Sequence, residues 1–100
     1  MAYFVYVLYS NKLDTFYKGQ ANDLTSRLKR HNSGYEKATK SGAPWILLWS
    51  TKKESRSQAL QLESKLKNLN RLRLVQFMLK YRDGVASPDA LLFLEQKSGC

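Results

Sequence analysis

Phe4-Val5-Tyr6-Val7-Leu8-Tyr9, a polar break at Ser10-Asn11-Lys12, then Thr15-Phe16-Tyr17-Lys18 closed by Gly19: this opening stretch decides the fold. Both runs are β-branched and aromatic, the composition that suits a pleated, half-buried surface. The polar segment between them is short enough for a hairpin, so the two strands should pair antiparallel. Tyr6 and Tyr17 then stand on paired strands. Each is most simply a packing residue, but in close pairing their hydroxyls could share one face.

Downstream the period changes from two to that of a helix. Asn22 suits an N-cap and Asp23 a first turn; Leu24 and Leu28 form an apolar seam, and Gly34 stands where a C′ glycine belongs. Pro44-Trp45-Ile46-Leu47-Leu48-Trp49-Ser50 reads as a third strand, with proline tolerated at its start. Ser55 with Gln58 resembles a capping box, and the helix that follows carries Ala59, Leu62, Leu66 and Leu69 on one stripe. A further helix is expected over Leu72–Tyr81 with Leu72, Val75 and Leu79 inward. Ser87-Pro88-Asp89 opens a last short helix through Leu94. The order β-β-α-β-α-α-α implies an α+β fold, a small antiparallel sheet flanked by helices.

At 100 residues the chain is sized for one core. Residues 1–82 are expected to form the functional unit. Residues 83–100 should be an extension packed on it, whose Leu91-Leu92-Phe93-Leu94 run could instead mediate a homodimer. Seventeen Lys and Arg against eight Asp and Glu give a formal charge of +9. So high a charge on so small a surface attracts polyanions, phosphate backbones above all, although solubility alone can also account for it. No apolar stretch is long enough to span a bilayer, and Met1-Ala2-Tyr3 shows no secretory pattern, so no membrane partner and a cytoplasmic location are expected. The single cysteine, Cys100, offers no internal disulfide and is poorly placed as a nucleophile.

Nucleotide-binding loops and the two-histidine zinc motif are absent, and a single histidine cannot complete a multi-histidine zinc site. What remains is a scatter of polar residues at the borders of apolar stripes. Arg27 and His31 flank the Leu24/Leu28 seam, whereas Lys29 and Arg30 project outward. Glu63 stands at the edge of its helix stripe among basic neighbours. One such carboxylate is what a divalent ion bridging to phosphate would use, although an ion pair with Lys67 explains it as well.

The ordered set resembles the GIY-YIG nuclease superfamily. It comprises Val5-Tyr6-Val7, Tyr17-Lys18-Gly19, Asn22-Asp23-Leu24, Arg27-Leu28, His31-Asn32, Pro44-Trp45, and Ser57-Gln58-Ala59 with Glu63. The likeness is to its small stand-alone members and covers roughly residues 3 to 70. It implies a three-stranded antiparallel sheet with helices and an endonuclease acting on DNA, in repair or recombination, with one Mg²⁺ or Mn²⁺. It also implies roles: Tyr6 as general base, Arg27 on the phosphate, Glu63 on the metal, and Tyr17 and His31 orienting water or phosphate. Lys18, Lys29, Arg30, Lys40 and Lys67 are the expected backbone contacts. Val5 stands where the first motif has glycine, and Lys18 at the centre of the second should face away from Tyr17. No residue matches the family's late asparagine securely; Asn68 and Asn70 qualify by type alone. A catalytically inactive nucleic-acid-binding module of the same fold is the alternative.

Overall fold

In the computed structural model, which describes residues 2–98, strand β1 (Tyr3–Ser10) is the middle of a three-stranded antiparallel sheet. It pairs with β2 (Thr15–Ala21) on one side and β3 (Trp45–Lys53) on the other. The sheet, the helix order and the α+β class agree with the sequence reading. Cys100 lies outside the described residues.

The central strand is buried on both faces. Val5, Val7 and Tyr9 point into the larger core, while Tyr6 and Leu8 point into a smaller one on the opposite face. Helix α1 (Leu24–Ser33) covers the smaller core through Leu24 and Leu28. Helices α2 (Arg56–Lys67), α3 (Arg71–Lys80) and α4 (Pro88–Lys97) build the larger one, in which Leu66, Leu74, Met78 and Leu94 are fully enclosed. Each such side chain contributes roughly 1.5–3 kcal/mol of transfer free energy. These two layers hold the sheet rigid between them.

Pairing between β1 and β3 shifts register after Val7: Val7 faces Trp49, but Leu8 faces Leu47. Strict alternation would send Leu48 and Trp49 to opposite faces. The bulge lets both enter the larger core, while Trp45 and Leu47 serve the smaller one.

Several boundaries differ from expectation. β2 and β3 run past Lys18 and Ser50, because main-chain pairing with Phe4, Val5 and Tyr3 carries their polar ends. Asp23, not Asn22, caps α1, its carboxylate accepting from the Ser26 amide at 3.0 Å. Asn70 caps α3 in the same way. Of the residues expected inward, Val75 is buried and Leu79 packs against the core, but Leu72 is 49% exposed, and Leu74 and Met78 complete the buried face. Helix α4 continues to Lys97. It buries Ala90 and Leu94 and sets Phe93 against Tyr9 at 4.6 Å, so most of the run expected to mediate a dimer packs within the domain, with Leu92 left exposed. Among the described residues no helix is long and apolar enough to cross a membrane.

Candidate active site

Tyr6 points toward α1 from the middle strand, directly opposite Gly19 of β2. A Cβ on Gly19 would lie 2.8 Å from the Tyr6 hydroxyl and 3.0 Å from the Tyr17 ring, so only glycine lets the two tyrosines close over this spot. Their ring centroids are 6.4 Å apart. His31, buried in the last turn of α1, meets the edge of Tyr17 at 4.9 Å and places Nε2 3.0 Å from the Tyr6 hydroxyl. Its Nδ1 lies 2.8 Å from Oγ1 of Thr39, which is itself buried and 3.5 Å from the Glu36 carbonyl oxygen. Asn32 fastens the same end of α1 to β3, with contacts to both the amide and the carbonyl of Trp45.

Because β2 is a sheet edge, its outer main-chain groups are open to side chains. Arg27 donates to the Gln20 carbonyl there at 3.4 Å. Gln20 itself points to the other face, where its side-chain amide donates to Glu63 Oε1 at 3.0 Å. Lys67, one turn along α2, pairs with Glu63 Oε2 at 3.0 Å. Tyr6 and Glu63 thus belong to opposite faces of the sheet. Gln20 links the two faces at the strand edge, its main-chain carbonyl held by Arg27 and its side chain by Glu63, and the Glu63 charge still reaches Tyr6.

Burial governs the electrostatics. It pushes the Tyr6 phenol up to about 12; the neighbouring Tyr17 adds to the rise, Arg27 opposes it, and Glu63 raises it slightly. At neutral pH the phenolate fraction is therefore only on the order of 10⁻⁵. Burial also lowers the His31 pKa, Glu36 opposing and Arg27 and Arg30 assisting, so the imidazole is neutral. The five residues named from the sequence do not line one solvent-reachable concave site: Tyr6 is 1% and His31 2% exposed, and Glu63 reaches the sheet from the opposite face. Tyr17, Arg27 and Glu63 are the partly exposed members.

Beside this edge opens a concavity of about 490 Å³. Arg27, Arg30 and Arg56 line it together with Gln20 and Asp23, which makes it cationic. Of the five expected backbone contacts, only Arg30 lines it, and Arg30 also pairs with Glu36 at 3.0 Å. Lys18 is half-buried on the α2 side, where burial first and Lys67 second push its pKa down. Lys29 projects from α1 beside Asn32, and the stem of Lys40 lies over Gly34. The five are divided between the two sides of the sheet.

A family model for the GIY-YIG catalytic domain matches residues 2–75. The chain belongs to the GIY-YIG family. A UPF0213 protein of Bacillus velezensis is 35% identical over 82 residues, covering 81% of this chain and 82% of its own. One from Vibrio parahaemolyticus is 33% identical, covering 74% and 70%. The solution NMR structure of a UPF0213 protein from Bacillus halodurans superposes with a TM-score of 0.52 at 29% identity, over 78% of this chain and 83% of that one. GIY-YIG domains are of endonuclease type, hydrolases of nucleic acid.

Such domains use a divalent metal, and the donor chemistry here fits one in a minimal way. Among the described residues no three His, Cys, Asp or Glu side chains come together, so at this site Glu63 would be the lone carboxylate to hold an ion. One hard carboxylate completed by phosphate and water oxygens suits Mg²⁺ or Mn²⁺. Lys67 would have to release Oε2. Asn68 and Asn70, the candidates for a late asparagine, are engaged at helix ends: Asn68 donates to the Ser64 carbonyl at 3.0 Å and Asn70 caps α3.

Gln20, Thr39 and Arg56 escaped the sequence reading. Strand alternation from Tyr17 does send Gln20 to the face of α2. Thr39 and Arg56 carried no local signal, since a loop threonine and an exposed helix arginine are ordinary.

Proposed function

We propose that this GIY-YIG domain is a divalent-metal-dependent endonuclease that hydrolyses phosphodiester bonds in DNA. The observation that supports this reading is the Gly19-Gln20 edge, where Tyr6, Tyr17 and His31 pack on one face, Gln20 reaches Glu63 on the other, and Arg27 holds the Gln20 carbonyl from an arginine-lined groove. Cytoplasmic DNA repair or recombination is the setting this reading implies.

In this mechanism Arg27 and Arg56 hold the scissile phosphate by charge-assisted hydrogen bonds. Thr39 donates to the Glu36 carbonyl and accepts from His31 Nδ1–H, which leaves Nε2 to accept from Tyr6. As a water oxygen attacks phosphorus, its proton passes to the Tyr6 oxygen while the Tyr6 proton passes to His31 Nε2. The raised tyrosine and lowered histidine pKa values make that transfer uphill by itself, so it proceeds only in concert with P–O bond formation. The P–O bond to the leaving group breaks, and His31 returns its proton through Tyr6 to solvent or to the departing oxygen. A metal bound at Glu63 would offset charge on the phosphate and leaving oxygens.

Two observations favour the inactive binding module: the Tyr6 hydroxyl is enclosed, and Lys67 occupies the carboxylate. Cleavage of duplex, branched and single-stranded DNA with Mg²⁺, Mn²⁺ or EDTA decides between them. The enzyme reading expects metal-dependent cleavage that Glu63→Ala abolishes, with DNA binding retained. Failure of the parent on every substrate with either metal gives the module reading instead.

A further inference from the structure

On the other face of the sheet, a second concavity of about 570 Å³ lies between the end of β3, α2 and α3. Lys53, Lys65, Lys80 and Arg82 surround it, with Asp83 as its carboxylate. Arg82 pairs with Glu95 at 3.7 Å; the three lysines have no carboxylate partner among the described residues. A series of rings leads outward from the core into this groove. Trp49 meets Phe77 edge-on at 5.6 Å, and Phe77 meets Tyr81 at 4.8 Å with a 48° tilt. Lys65 Nζ sits 5.5 Å from the Phe77 centroid and Lys80 Nζ 5.6 Å from that of Tyr81. Trp49 and Phe77 belong to the core and its border, whereas Tyr81 keeps 47% of its surface exposed.

We infer that this groove binds single-stranded nucleic acid, with phosphates on Lys53, Lys65 and Lys80 and one base stacked on the Tyr81 ring, the Lys80 ammonium leaving the ring for phosphate. Uncompensated cations around a concavity attract an extended polyanion. The exposed ring adds what charge alone does not. A base offers its face only when it has no partner above it, so the ring selects a single strand over a duplex. An acidic peptide would satisfy the lysines but leave the ring without a flat partner. The groove is separate from the Arg27 groove and none of its cations is among the five expected from the sequence, so a strand held here would be unpaired nucleic acid flanking the substrate.

The test is anisotropy of a short labelled oligothymidylate, in EDTA and low salt, with the full chain and its variants. Tyr81→Ala should weaken binding roughly 5- to 100-fold, the value of one stacked base. Tyr81→Phe should bind like the parent. Blunt duplex should respond little to either. The Trp49 indole donates at 2.9 Å to the Tyr81 main-chain oxygen, so the substitution preserves that anchor. If Tyr81→Ala nevertheless fails to fold, Tyr81→Leu gives the same comparison, removing the flat ring while keeping an apolar side chain. Lys65→Glu with Lys80→Glu, both exposed, tests the phosphate contacts separately. That pair should reduce oligothymidylate binding at least tenfold and flatten its salt dependence. Unchanged affinity in Tyr81→Ala or in the lysine pair, equal loss on duplex, or tighter binding of polyglutamate would each overturn the inference. Because no cleavage is read, a parent without nuclease activity that shows Tyr81-dependent binding sinks only the enzyme reading.

Discussion

The Tyr6 hydroxyl lies 3.0 Å from His31 Nε2, and both side chains are enclosed between the sheet and α1. A packing role for Tyr6 needs only the ring, whereas a catalytic role needs the oxygen. Tyr6→Phe separates the two. Loss of the hydroxyl should cost on the order of 10²–10⁴ in single-turnover cleavage if that oxygen handles the proton. A variant that cleaves at the parental rate makes Tyr6 a core residue and removes the proposed relay.

The same enclosure predicts a pH dependence of stability. Burial holds the His31 pKa in the fold below its ordinary 6.5, so the unfolded chain takes up the proton more readily. The stabilising difference is complete above about pH 6.5 and is lost as pH falls toward the folded-state value. Urea midpoints measured at pH 7 and pH 5 should drop for the parent. His31→Gln, which cannot titrate there, should be less stable at pH 7 but show a flatter change. Equal slopes for the two proteins would mean that His31 is not the titrating group.

Gly19 is fixed by the tyrosines rather than by its own backbone, because the position opposite Tyr6 has no room for a methyl group. Gly19→Ala should destabilise by about 1–3 kcal/mol, the usual cost of overpacking. The Tyr6 oxygen is the nearest atom, so Gly19→Ala should cost less in a Tyr6→Phe background. Chemical denaturation of the four proteins of that cycle measures the coupling, and strict additivity would show that the clash is relieved elsewhere.

How much of this was legible beforehand follows from how local each signal is. Helix α1, for instance, was read from a seam and two caps within its own sequence, and its assigned cap was wrong by one residue because Asn22 and Asp23 have equal capping chemistry. On α3 the sequence places Val75 and Leu79 inward as found, and errs only at Leu72. Leu72, Leu74, Val75 and Leu79 offer competing stripes, and packing against the sheet and α4 selects among them. The bulge between Val7 and Leu8 has no sequence mark, although it decides where Leu48 and Trp49 go. At the site, strand and helix phasing singles out Tyr6, Tyr17, Arg27, His31 and Glu63 and the resemblance supplies their roles, but neither reveals that Glu63 comes from the opposite face. Thr39 reaches His31 only through the fold of an irregular loop.

Lys67 supplies the last prediction. Its ammonium and a divalent ion compete for the same carboxylate, because Glu63 Oε1 already accepts from Gln20 and Oε2 from Lys67. Lys67 is well exposed, so the pair is weak, worth about 0.2–1 kcal/mol. Lys67→Gln removes this competitor and a nearby positive charge while keeping side-chain length. Mn²⁺ affinity, read from the free-ion electron paramagnetic resonance signal without nucleic acid, should rise roughly 2- to 5-fold, the exchange equivalent of that pair energy. Glu63→Gln should abolish the same binding. In the presence of DNA the variant should need less Mn²⁺ to reach half-maximal cleavage, while losing some affinity for DNA itself if Lys67 also meets phosphate. Mn²⁺ affinity that stays level or falls in Lys67→Gln would mean that the lysine does not contend with the metal, and that Glu63 binds the ion through an arrangement other than the Oε2 position the lysine holds.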